Sequence, residues 1–179
     1  FPTRRSSDLI HQDTTYGCIK GLRDGKFDVA FCGKMRDEQG IVYTPMLAQN
    51  LVIGVDSSHE LAQRESVSLK DLRGYSLVSY RNESYVRAIL DGLFHRAGLS
   101  VKQGFNDEIS AASLVVAEKT VVAIMLNTLD DGFSEGFVSV PIEEALEPFH
   151  VIYLAHKESV SSSSAASFSL IGLINSSAI

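Results

Sequence analysis

Leu51-Val52-Ile53-Gly54-Val55 is a short, mostly β-branched run bounded by polar residues, and it narrows the folds open to this chain more than any other stretch. It reads as a buried strand, because no alternate position offers a polar side chain to water. Asp56-Ser57-Ser58 breaks the run with short side chains that bond back to the local backbone. His59-Glu60-Leu61-Ala62 follows as a brief helical turn, and Val67-Ser68-Leu69-Lys70-Asp71-Leu72 as a second one.

The segments on either side alternate between helices and apolar strands. Upstream, Thr14 or Thr15 can cap a helix carrying Tyr16, Ile19 and Leu22, which Gly25 is placed to end. Phe27 to Cys32 is then a strand, apolar on both faces apart from Asp28, as a covered parallel strand would be. After a charged loop, Ile41-Val42-Tyr43 leads through Pro45 toward Leu51. Downstream, Tyr75 to Ser79 is a strand that runs into Tyr80-Arg81-Asn82-Glu83, with Asn82 a candidate helix cap. Val86, Ile89, Leu90, Leu93, Phe94 and Ala97 follow at helical spacing, and Gly98 stops that helix. Val101 to Phe105 is the next strand, and Asn106 or Asp107 caps a helix whose expected buried stripe is Ile109, Ala112, Ser113, Val116 and Ala117. Val121 to Met125, Phe137 to Pro141 and Phe149 to Ala155 complete the strands. A final helix is expected on Phe168, Ile171 and Ile174, despite the serine run Ser161 to Ser164. The alternation makes the fold class α/β.

Composition excludes several functions. The net charge of −6 does not suit a segment that itself grips a nucleic acid backbone. Two cysteines, Cys18 and Cys32, cannot build a disulfide framework, and their usage fits a reducing cytoplasm. No apolar run approaches a membrane span. The five histidines lack metal-ligand spacing, and no G-x-S-x-G elbow, P-loop or GxGxxG is present. Neither a metal, a cofactor nor a catalytic role is therefore expected, and Cys32 reads as a small buried residue. Glu143-Glu144 and Asp130-Asp131 read as solvated loop acids. Phe1 to Leu9 resembles a translated sequencing adapter and is set aside, so the gene product is expected to extend upstream.

A hydrophobic strand, a polar step, H-x-L-A at His59 to Ala62 and v-x-L-x-D-L at Val67 to Leu72 resemble the middle of the effector-binding domain of LysR-type transcriptional regulators. The helix before Gly25-Lys26-Phe27-Asp28 and the strand after it fit the same pattern. Two departures stand out: Glu60 occupies the family's usual proline position, and Glu118-Lys119-Thr120-Val121 lacks the glycines that usually precede that strand. The resemblance implies a two-lobe, type 2 periplasmic-binding-protein-like fold with its first lobe incomplete. Residues 10–53 and 155–179 would form lobe I, and 54–154 lobe II. A small-molecule effector would sit between the lobes, and DNA would be contacted only through a winged helix-turn-helix missing from this segment. Family members assemble as homodimers or homotetramers in the cytoplasm.

Strand ends that open directly into helices present free N–H groups and short polar side chains at the carboxyl edge of a sheet, where ligands bind in open α/β folds. Ser79, Tyr80, Arg81 and Asn82 form one such edge; Cys32, Gly33 and Lys34 end the facing strand, and Met125 and Asn127 bound a third. Lys34 and Arg81 would suit an anionic effector. Two rival functions share the fold: the solute-binding component of a transporter, and an enzyme.

Overall fold

Thr14 starts the first helix as expected, its hydroxyl accepting a hydrogen bond from the Gly17 amide at 3.1 Å. The computed structural model describes residues 10–35, 39–129, 134–145 and 148–158; the adapter-like segment, Asp130-Asp131 and the expected final helix lie outside them. The order is α1 (Thr15–Arg23), β1 (Val29–Cys32), β2 (Ile41–Gln49), β3 (Leu51–Asp56), β4 (Ser76–Tyr80), α2 (Tyr85–Ala97), β5 (Val101–Phe105), α3 (Glu108–Ala117), β6 (Val121–Leu126), β7 (Phe137–Pro141) and β8 (His150–Lys157). A 3-10 turn over Glu60–Gln63 realises the His59 motif, with the imidazole Nδ1 accepting from the Leu61 amide at 3.2 Å.

Two sheets result, so the fold is α/β with two lobes. The first is three-stranded in the order β1-β8-β2, and the second five-stranded in the order β5-β4-β6-β3-β7. In the second, β5, β4 and β6 run parallel, while β3 lies antiparallel to β6 and β7. All six residues of β3 are buried, as the unbroken apolar run demands. The chain changes sheets at Asn50, between β2 and β3, and again before His150. Those points precede the expected divisions after Ile53 and Leu154, because Leu51 to Ile53 pair with β6 and His150 to Leu154 with β2. Pro45 is tolerated in β2 because that strand is an edge and bulges between Pro45 and Leu47.

The cores are unequal. The larger one wraps the second sheet and fully buries Leu51, Ile53, Leu72, Leu90, Ile124 and Ile142, each contributing roughly 1.5–3 kcal/mol. Beneath α1, the smaller core has Ile19 and Leu22 as its large buried aliphatics, beside Cys18, Ala30, Cys32 and Ala155.

Three local expectations are corrected. β1 is not a covered parallel strand: it pairs antiparallel with β8 at a sheet edge, and Phe31 is exposed on the face away from α1. Four residues with apolar side chains on both faces carry no period from which to read a covered face. α3 buries Ala111, Ala112 and Val115 and exposes Ile109 and Ser113, because a helix apolar nearly all round does not specify its inward stripe. The cap of α2 is Ser84, not Asn82, and Ser84 makes no side-chain cap bond; its amide instead donates to the Arg81 carbonyl at 3.0 Å. Gly98 ends α2 in the left-handed region at φ 66°, where a side chain would be strained.

Candidate functional site

The two connections between sheets run side by side, and polar side chains hold them together. Asn50 donates its amide to the Asn127 side-chain oxygen at 2.7 Å, and the Asn127 amide donates to the Asn50 carbonyl at 3.0 Å. The Phe149 amide donates to the Gln49 carbonyl at 2.8 Å. Below this, Gln49 is buried, with its Oε1 2.8 Å from Nδ1 of the equally buried His150. Gln49 thus joins the two crossings through Phe149 and His150, and Asn50 and Asn127 clasp the first of them to the end of β6.

On the first lobe, Cys32 ends β1 with its thiol in the core, where burial, then the nearby Cys18, push it up to about 11. Such a thiol stays protonated at neutral pH. Gly33 leaves the strand with its amide donating to Thr15 Oγ1 at 3.3 Å, at the start of α1. A Cβ at Gly33 would stand 2.9 Å from the Tyr85 ring and 3.0 Å from His150 Nε2, so only glycine fits without displacement. Lys34 is exposed, its ammonium 5.7 Å from the centre of the Tyr43 ring.

The second-lobe residues divide by role. Ser79 is fully buried, and its hydroxyl donates to the Ile124 carbonyl at 2.8 Å. Tyr80 is also buried; its hydroxyl donates to Glu108 and accepts from the Leu126 amide at 2.9 Å. Burial and the Glu108 charge raise its pKa far above the usual phenol value, so it stays a donor. Met125 is buried in β6, its sulfur 2.9 Å from where a Cβ on Gly54 would lie. Arg81 and Asn82, by contrast, are exposed on the turn between β4 and α2. Of the nine expected site residues, the structure thus brings Gly33 and Lys34 toward the α2 start, leaves Arg81 and Asn82 exposed on the turn before it, and bonds Asn127 to Asn50. The side chains of Cys32, Ser79, Tyr80 and Met125 are committed to packing or to internal bonds.

Tyr85 joins the lobes. From the first residue of α2, its hydroxyl donates to the Lys34 carbonyl at 2.6 Å. Its ring stands 6.2 Å from Tyr16 and 6.1 Å from His150. Arg87, two residues on and buried, donates to the Tyr80 carbonyl at 3.0 Å and the Val101 carbonyl at 3.2 Å, fixing the turn to the sheet below. Sequence reasoning did not select Tyr85, Arg87, Gln49 or His150. The available signal was a lone polar residue opening an apolar run, as His150 does before Val151-Ile152-Tyr153-Leu154. Burial alone lowers the His150 pKa, favouring a neutral ring. Among the described residues no cluster of three metal-ligating side chains occurs.

The sequence profile of the LysR substrate binding domain matches residues 9–170. The chain belongs to that family. YybE of Bacillus subtilis (strain 168), an uncharacterized HTH-type transcriptional regulator, is 26% identical over 110 residues, covering 60% of this chain and 38% of its own. The hydrogen peroxide-inducible genes activator of Pectobacterium carotovorum subsp. carotovorum is 24% identical over 89 residues, half of this chain and 30% of its own. This LysR substrate binding domain thus spans about a third of the length of the curated relatives it matches. Among solved structures, the effector binding domain of QuiR in complex with shikimate superposes with a TM-score of 0.78 at 25% identity, covering 94% of this chain and 80% of that one.

Proposed function

We propose that this chain is the effector-sensing part of a DNA-binding transcriptional regulator, with a small molecule held between the lobes. The observation that carries the reading is the paired crossing at Asn50 and His150, in a chain whose family is the LysR substrate binding domain. Lobe I then holds β1, β2 and β8, and lobe II the five-stranded sheet. A helix-turn-helix elsewhere in the full protein would carry DNA contact, as the description of YybE supports, and the regulator would work in the cytoplasm as a homodimer or homotetramer. Family membership favours a regulator over a transporter's solute-binding component, and a sensor over an enzyme.

The effector is anionic in this reading. Exposed Lys34 lies where Tyr85 bridges the lobes, Arg81 is exposed on the turn just before Tyr85, and the shikimate bound by QuiR is a carboxylate. Glu83 lies exposed in the turn itself, and Glu108, close by, is already engaged by the Tyr80 hydroxyl. Losing a hydrogen bond to a charged group costs about 1.5–3 kcal/mol, or roughly ten- to a hundredfold in affinity. Arg81→Ala and Asn82→Ala should each weaken carboxylate binding by about that factor. Asn82 does not cap α2, so its variant should melt within about 0.5 kcal/mol of the parent. Calorimetric titration and thermal melts measure both quantities. Unchanged affinity in both variants would remove this turn from the site.

A further inference from the structure

His150 Nε2 is a buried polar atom with no hydrogen-bond partner among the described residues. The side chain is 8% exposed, and Nε2 points at Gly33, where an added Cβ would come within 3.0 Å. Burying a polar atom without a partner costs on the order of 1–3 kcal/mol, so such atoms usually have a reason to be there. The partner of the other ring nitrogen decides what this one can do. Nδ1 lies 2.8 Å from the Gln49 side-chain oxygen; with that oxygen as the acceptor, Nδ1 carries the proton and donates it. In a neutral ring Nε2 is then a bare lone pair. It can receive a hydrogen bond and cannot give one, so a carboxylate cannot satisfy it.

Its surroundings are those of the lobe junction. Gly33 closes one side, and the Tyr85 ring the other, with Tyr85 tied to the Lys34 carbonyl across the two lobes. Movement of Tyr85, at the start of α2, would uncover Nε2 on the side of Lys34. We infer that His150 Nε2 receives a hydroxyl of the effector while Lys34 and Arg81 hold its anionic group, so that the site selects hydroxylated carboxylates over their deoxy counterparts. This rests on the anionic-effector reading above and adds the recognition of a hydroxyl by a residue that reading does not use. Gln49 is the positioning residue, because its oxygen sets the tautomer.

Two measurements on the 179-residue chain test it. Nitrogen-15 NMR of the histidine rings should show His150 with a protonated Nδ1 and a bare Nε2; a proton on Nε2 overturns the inference whatever the chain binds. Thermal melts and titrations with matched pairs, shikimate against cyclohex-1-ene-1-carboxylate and 4-hydroxybenzoate against benzoate, then read the selectivity. The parent should bind the hydroxylated member of at least one pair roughly two- to tenfold more tightly, the worth of one neutral hydrogen bond. His150→Phe, which removes the acceptor but keeps a ring, should abolish that preference, so that the variant binds the two members of the pair alike. A preference that survives in His150→Phe, or two members bound equally by the parent, contradicts this inference alone. A parent that none of the four carboxylates stabilises contradicts the anionic-effector reading as well.

Discussion

Cys32 shows how burial decides chemistry at a single residue. It ends β1 beside the lobe junction, where a thiol could be taken for a reactive group, but its pKa of about 11 leaves only about a thousandth of the molecules as thiolate at pH 8. Alkylation of Cys32 by iodoacetamide at pH 8 should therefore be about a hundredfold slower than that of an exposed cysteine, and should approach it in denaturant. Rapid labelling of the folded chain, read by peptide mass spectrometry, would contradict the placement of this thiol in the core. Gly33, the next residue, owes its identity to the opposite constraint: two aromatic rings from different elements leave no room for a side chain.

At the scale of elements, the turn between β4 and α2 is held from beneath by Arg87. Its guanidinium serves the Tyr80 and Val101 carbonyls and pairs with Asp91 at 2.6 Å, with one partner buried and the other exposed. Arg87→Ala leaves both carbonyls short of a donor and should cost about 1.5–3 kcal/mol in urea denaturation. A loss below about 0.5 kcal/mol would mean that water replaces the clamp. The elements themselves were legible in the sequence wherever a cap or a covered run marked them: Thr14 and Asp107 cap α1 and α3, Gly98 stops α2, and Leu51 to Val55 is buried throughout. What was not legible depended on tertiary partners. The inward face of α3 has no polar side to exclude, and β1 is too short for its alternation to be read. The site was half legible. Of the proposed site, Gly33, Lys34 and Arg81 can be selected from strand ends, whereas Tyr85 and His150 lie far apart in the chain and meet only when the lobes fold together.

For the whole molecule, sensing requires two lobe arrangements that the effector binds unequally, since a ligand shifts an equilibrium only by its difference in affinity between states. Each lobe has a core of its own, a larger one around the second sheet and a smaller one beneath α1. The junction is spanned by the clasp at Asn50 and Asn127 and by the Tyr85 bond to the Lys34 carbonyl. The claim at the centre of this account is that one ligand touches both lobes at once. Hydrogen–deuterium exchange tests it most directly, comparing the free chain with the chain saturated by the carboxylate that raises its melting temperature most. The amides of 33–35 on the first lobe and 81–85 on the second should slow together, while those of the buried β3 stay unchanged. Protection confined to one lobe, at a ligand concentration that calorimetry shows to be saturating, would contradict a site between the two.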